Sequence, residues 1–552
     1  MADDTDTKLR ELQKREEEEL ASILSKKYGI EYRDLTRVSI NPNALQLIPE
    51  ERAREAEVAA FDLTGSKLFL GVRSPQHPKL GTLYEELKNK NFIIQEFMVS
   101  RESLARAWDH YKDLSFAIGT TKGVIDISPE ELKKSIAAIH TVEDIKKSIN
   151  EVTETKRAYR ISKILEVVLA GAFAVDASDI HIEPEEKNVR MRYRLDGVLH
   201  DVASFDNETH ELLLSRLKLL SGLKLNIKDA PQDGRFSITL DKDTIEVRTS
   251  VIPGAYGETV VMRLLNPNTI AVPFEALGME PKLKSLVERE IRNPNGMLLN
   301  TGPTGSGKTT TLYACMRSIN SPEVKIITIE DPIEYHLPGV VQTQVEKSYT
   351  FLQGLRSALR QDPDVIMIGE IRDEEVARTA IDAALTGHFV FSTIHTNNAA
   401  GTFPRLVDLG VDPKVFGSAI NVAMAQRLVR KLCQQCKKQV LVEGKNKELI
   451  EKTLAGFRDK SQIPTDISHM YEPVGCAACN STGFKGRIGV FEALVVDTEM
   501  DALLRTLPSE HEIQKLQNKR DLLNMVEDGV LKILAGITSF DELNRVVLVE
   551  QS

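Results

Sequence analysis

The run Gly302-Pro303-Thr304-Gly305-Ser306-Gly307-Lys308-Thr309 carries the residue types that bind a phosphate chain. Glycines at 302, 305 and 307 let the backbone turn so that its N–H groups and the positive end of a following helix converge on phosphate oxygens. Lys308 supplies a charge at the β/γ-phosphates, and the Thr309 hydroxyl is the expected Mg²⁺ ligand. Thr310 follows directly and opens the helix. The run sits after apolar Met297-Leu-Leu and before a helix-like segment ending near Ile319, the strand, loop and helix order that a nucleotide site needs.

Acids that could turn binding into hydrolysis lie downstream. Apolar Lys325 to Ile329 leads into Glu330-Asp331-Pro332-Ile333-Glu334, a strand expected to end in three carboxylates placed for Mg²⁺ and water. A second apolar strand, Asp364 to Gly369, delivers Glu370, the candidate to polarise the attacking water, with Glu330 its rival. Gly369 stands where an ordinary Walker B motif has Asp, which moves the metal burden to Thr309, waters and Glu330 or Asp331. A third strand, from His388, ends at His395-Thr-Asn, where His395 could sense the γ-phosphate or a neighbouring subunit, or serve only structure.

Four of the five cysteines form two knuckles, Cys433-x-x-Cys436 and Cys476-x-x-Cys479, a set suited to tetrahedral Zn²⁺. The 39 residues between the knuckles exceed the usual zinc-ribbon gap, so an insertion that includes the charged run Glu443 to Lys452 is expected to loop out. Four Cys ligands leave no open position for a catalytic water, so the metal is expected to be structural. Cys315 reads as a buried small apolar residue.

The elements that position these groups follow from pattern. A chain of 552 residues, 41% hydrophobic and 28% charged, holds several globular domains, and a net charge of -10 disfavours a surface devoted to nucleic acid. No basic-then-apolar leader opens the chain, and its longest apolar stretch, near Ile164 to Val175, is interrupted by Glu166. A cytosolic protein without a transmembrane segment is expected. The spacing gives an N-terminal helix and small α/β domain over 1–111, with a helix over Leu9 to Lys27, then a linker with some helix over 112–154. A second α/β domain follows over 155–272, with strands at Val189 to Tyr193, Phe236 to Leu240, Thr244 to Ser250 and Thr259 to Leu265. Its last stretch, Asn266 to Val272, could serve as a hinge. The nucleotide core spans 273–428, the metal subdomain 429–497 and a helical C-terminal subdomain 498–552.

Together, Gly302 to Thr309, Thr328 to Glu334, Leu359 to Asp373 and Thr386 to Thr396 resemble the four signatures of secretion ATPases, specifically the type II secretion and type IV pilus assembly family. Ala177-Ser-Asp-Ile-His-Ile-Glu-Pro184 and Pro231-Gln-Asp-Gly-Arg235 are similar to that family's second N-terminal domain, and the cysteines with Thr482 to Arg487 to its metal subdomain. The resemblance implies an α/β multidomain fold: a RecA-like P-loop ATPase core, a preceding PAS-like domain, a small N-terminal α/β domain and a four-cysteine zinc subdomain. It also makes Gly369 before Glu370 normal. Implied further are ATP, Mg²⁺ and structural Zn²⁺, a homo-hexamer, and work on an inner-membrane platform protein from the inner face of the cytoplasmic membrane. Arginines of the family close on the phosphates: Arg235 and Arg248 match those of the preceding domain, Arg356, Arg360 and Arg372 those near the acidic strand, and Arg487 the one after the cysteines. Asp179 and His181 match a signature too and read as packing or capping residues.

The N-terminal domain and the CxxC pair favour assembly over retraction, and pilus extension over secretion on overall resemblance. Leu9-Arg10-Glu11 does not reproduce the Arg-Leu-Gly repeat through which some relatives bind cyclic di-GMP, so none is expected. A DNA-translocating P-loop motor is opposed by the acidic balance and the cysteines. A nucleotide-ordered scaffold is opposed by the retained Lys308 and Glu370.

Overall fold

The computed structural model describes residues 17–36, 38, 40–45, 47–64, 67–89, 92–115, 129–153, 157–240, 243–266 and 272–547. The start of the expected first helix, the Leu9-Arg10-Glu11 segment and 267–271, part of the expected hinge, lie outside them. Residues 17–28 are helical.

Three large sheets organise the described residues, beside a two-stranded one of Lys438–Leu441 and His469–Glu472 between the cysteine knuckles. The first has four strands, ordered Glu31–Tyr32, Ile93–Met98, Lys67–Val72 and Val58–Thr64. Helix Arg101–Ser115 packs on it, and the buried Tyr111 hydroxyl donates to the carbonyls of Leu45 and Ile48 at 3.1 and 2.8 Å.

The second sheet has six antiparallel strands, ordered Val198–Phe205, Val189–Leu195, Asp179–Pro184, Gly257–Leu265, Asp243–Gly254 and Gln232–Leu240. In Val189–Leu195 every second residue is buried, the alternation of a sheet with one covered face. The cover is helix Arg157–Ala174 with helices Pro129–Ala138 and Val142–Thr153, whose Leu132, Ile145 and Ile149 share one core with Val168, Tyr193 and Met262. Residues 129–153 therefore belong to this unit's core and are not a spacer. Glu166 shows why: buried at 5% exposure, its carboxylate accepts from Lys163 Nζ at 2.7 Å and from Ser135 Oγ, on that neighbouring helix, at 2.6 Å. Asp179 is a packing residue as well, buried and ion-paired with Arg194 and Arg263 at 3.3 and 3.0 Å.

The third sheet has seven strands, ordered Val341–Gln344, Ile326–Glu330, Val365–Ile368, Phe389–Ile394, Gly296–Thr301, Val422–Leu432 and Phe484–Val495. The first six run parallel, and the last pairs antiparallel with Val422–Leu432. The central strands are buried on both faces, which explains their unbroken apolar runs. Each fully buried Leu or Ile among them contributes about 1.5–3 kcal/mol. Val429 beside the first knuckle, Leu454 between the knuckles and Ile533 of the C-terminal helices all join the core of this sheet. The metal and C-terminal segments are thus continuous with the nucleotide core, and the expected borders near 429 and 498 fall within shared packing. No described helix is long and apolar enough to cross a membrane.

Candidate active site

Strand order decides which loop ends meet. Gly296–Thr301 and Val365–Ile368 flank Phe389–Ile394, and Ile326–Glu330 lies beyond, so the carboxyl ends of all four strands line one crevice. Gly302, Glu330, Glu370 and His395 are each the last residue of their strand or follow within two positions.

The loop's glycines have two distinct reasons. Gly302, Gly305 and Gly307 have φ of 147°, 79° and 90°, which L side chains avoid. A Cβ at Gly302 would also lie 2.6 Å from the Gln426 carbonyl, whereas nothing lies within 4 Å of one at Gly305. Pro303, Thr304 and Gly305 are exposed, and Ser306 is buried with no hydrogen-bond partner for its Oγ. Gly307 caps helix Lys308–Ile319, in which Lys308, Thr309 and Thr310 are half-buried. Lys308 Nζ donates to the Gly302 and Pro303 carbonyls at 2.8 and 3.1 Å. Burial pulls its pKa down, opposed by the charge of Glu370.

The two candidate bases differ sharply. Glu330 is 2% exposed and accepts from the Tyr313 hydroxyl, from Thr328 Oγ1 at 2.5 Å and from Gln342 Nε2 at 3.1 Å. Burial raises its pKa against those donors. Its oxygens are engaged by protein. Glu370 instead sits at the crevice, its side chain 12% exposed, ion-paired with Arg372 and 3.5 Å from His395 Nε2. Asp373 caps helix Glu374–Leu385 by accepting from Val376 N at 2.9 Å, which holds the turn behind Glu370.

The arginines are placed unequally. Arg248, on the second sheet, donates to the Ile333 carbonyl at 2.6 Å and lies 3.5 Å from Glu334, so it meets the acidic segment that also contains exposed Asp331. Arg235 is 69% exposed and 3.5 Å from Glu246. Exposed Arg356 and Arg360 lie on the helical turns before Asp364, where Arg360 donates to the Arg356 carbonyl. Arg487 borders a cavity beyond the loop. Three participants carry no motif that sequence reasoning could use. Gln426 accepts from Asn300 Nδ2 and Thr311 Oγ1 at 2.9 and 2.8 Å beneath the loop. Arg427 donates to the Asn397 carbonyl at 2.6 Å, joining the loop after His395, and Tyr313 holds Glu330.

The four cysteines come together. Their Sγ atoms lie within 4.8 Å of one another, with close pairs at 3.9 Å for Cys433 and Cys476 and 3.8 Å for Cys436 and Cys479. Tetrahedral zinc with Zn–S of about 2.3 Å needs sulfurs about 3.8 Å apart. All four thiols are free, and backbone N–H groups of Gly475, Cys476 and Gly483 point at sulfur at 3.2–3.3 Å, as thiolate ligands require. The donor set fits zinc.

A glycine-rich loop closing a parallel sheet onto a helix, with Glu370, Arg372 and His395 together at the ends of neighbouring strands, defines a P-loop ATPase. Residues 154–545 match the family described as type II/IV secretion system protein, and residues 28–117 match the MshEN domain. The type II secretion system protein E of Pseudomonas aeruginosa is 40% identical over 430 residues, 75% of this chain and 84% of that protein. The type IV pilus assembly ATPase PilB of Myxococcus xanthus is 34% identical over 539 residues, 96% of this chain and 91% of that protein. The ATPase DotB of Yersinia pseudotuberculosis shares the fold at TM-score 0.51 and 21% identity, over 72% of this chain and 95% of that one. The chain belongs to the type II/IV secretion ATPase family.

Proposed function

We propose that the chain is a hexameric motor whose RecA-like core hydrolyses ATP to drive type IV pilus extension through an inner-membrane platform protein, from the inner face of the cytoplasmic membrane. One observation carries the pilus reading: likeness to the Myxococcus pilus ATPase runs through the N-terminal unit over 96% of the chain, against 75% for the Pseudomonas secretion protein. The 40% identity of the latter supports type II secretion as the second reading. Disrupting the chain in its own host separates them: loss of surface fibres with normal protein export supports extension, and the reverse supports secretion.

In this reading the loop backbone and Lys308 hold the phosphates. Thr309, with water and Asp331 of the acidic segment, would hold Mg²⁺, which would supply neutralisation of phosphate charge. Glu370 accepts the proton of the attacking water, and Arg372 and His395 set its orientation. Glu330, saturated by Tyr313, Thr328 and Gln342, positions the acidic segment through its neighbours and is not the base. Arg248 ties the second, PAS-like unit to Ile333 and Glu334, so that movement of that unit is felt at the site. Arg235, Arg356 and Arg360 are assigned to phosphate charge across the domain and subunit clefts, a task suited to the planar guanidinium, and Arg487 to the nucleoside side of the bound nucleotide. The four-cysteine group holds structural Zn²⁺.

A further inference from the structure

A cavity of about 550 Å³ lies between the phosphate-loop helix, the second unit and the metal knuckle. It borders Gly307, Thr310 and Thr311 but not Lys308, Glu370 or His395. It therefore opens from the loop on the side away from the hydrolytic end. A phosphate chain with its γ-end at Lys308 and Glu370 points its nucleoside end into this space, whose size suits a small-molecule ligand. Leu428 and Ile488 offer apolar faces, and Asp196 and Arg487 offer polar ones.

The far wall is the strap 478–487 that leaves the second knuckle. Its shape is dictated at the sulfurs. Gly483 N points at Cys479 Sγ at 3.3 Å, while the Gly483 carbonyl accepts from Cys433 N at 2.9 Å. Asn480 and Ser481 are held in the left-handed region, at φ of 50° and 58°, a conformation that surrounding contacts must enforce. Two further bonds fix the strap to the second unit: Asn480 Oδ1 accepts from Val142 N at 3.0 Å, and Asp196 Oδ2 accepts from Gly486 N at 2.8 Å. Phe484 carries the Arg430 guanidinium on its face at 4.1 Å.

We infer that the four-cysteine knuckle is a working part of the nucleotide site: its strap walls the chamber for the nucleoside, so metal loading sets affinity for whole nucleotides and leaves phosphate binding alone. The inference rests on the nucleotide reading proposed above. Four thiolates drawn around one cation bring the two knuckles together and lock the strap. Without the cation nothing draws the two knuckles together and the strap loses that lock, while the loop glycines, Gln426 and Lys308 keep their own contacts.

Calorimetric titration of the full chain with Mg-ADP and, separately, with inorganic pyrophosphate tests this, using metal-loaded protein, chelator-stripped protein and Ala478→Trp. Ala478 lines the cavity and is not one of the four sulfur ligands, so this variant keeps the test valid if stripped protein unfolds. The expected result is ADP binding weaker by about tenfold or more in the stripped protein and in Ala478→Trp with zinc retained, and pyrophosphate binding within about twofold of the loaded wild type. Equal loss of both ligands, or unchanged ADP affinity in both altered proteins, overturns the inference. Failure of loaded wild type to bind either ligand overturns the nucleotide reading and the inference with it.

Discussion

His395 Nε2 lies 3.5 Å from Glu370 Oε2, which joins the ends of two adjacent parallel strands across the crevice that the phosphate loop faces. Neither residue is near the other in sequence, and the pairing exists because Val365–Ile368 and Phe389–Ile394 run side by side.

Glu370→Gln should bind ATP with wild-type affinity and hydrolyse it about 10²–10⁴-fold more slowly, the range of a lost general base. Single-turnover hydrolysis measured beside nucleotide binding checks this. Glu330→Gln retaining the larger share of activity would agree with its engaged oxygens, and the opposite ranking would move the base to Glu330.

Lys308→Ala should weaken binding itself. The lysine donates to loop carbonyls and brings its charge to the phosphates, so its loss is expected as a binding defect of at least about tenfold in a titration with Mg-ATP.

Much of this site was legible in the chain because its demands are local. The glycine spacing states a backbone conformation, and apolar strands ending in Glu330, Glu370 and His395 state a parallel sheet with polar loop ends. The choice between Glu330 and Glu370 was not legible. It depends on Tyr313 and Gln342 reaching Glu330 from a helix and from the edge strand, and no spacing records that. The helices of 129–153 read as linker because they are short and charged, and their apolar stripe gains meaning only against Arg157–Ala174. Strand Phe484–Val495 follows the second knuckle and so falls in the expected metal subdomain, yet it closes the edge of the ATPase sheet.

Zinc analysis of protein purified without chelator should give one metal per chain, and Cys476→Ser should lose it. Well below one zinc per chain in the wild type would contradict the reading of the sulfur spacing.

Glu542 couples stability to pH. Its carboxylate is 1% exposed, and although burial opposes ionisation, Arg545 and Arg430 outweigh it and hold the pKa below the usual 4.5. A depressed carboxylate stabilises the fold above its unfolded pKa, and that contribution is lost as pH falls through the folded value. Glu542→Gln should therefore cost about 1–3 kcal/mol at pH 7 and progressively less below pH 4.5. Denaturant unfolding at pH 7 and in the acid range reads the difference, and a gap that widens on acidification would contradict the assignment.

The proposed ring motor needs arginines from outside the nucleotide core at its ATP sites, and Arg235 is exposed on the second sheet. The direct measurement is Mg-ATP hydrolysis by size-separated oligomers of wild type and Arg235→Ala. Activity should be confined to the hexamer, and an Arg235→Ala hexamer should assemble and bind ATP but turn it over at least about tenfold more slowly. Equal activity in a monomer, or an Arg235→Ala protein as fast as wild type, would contradict it.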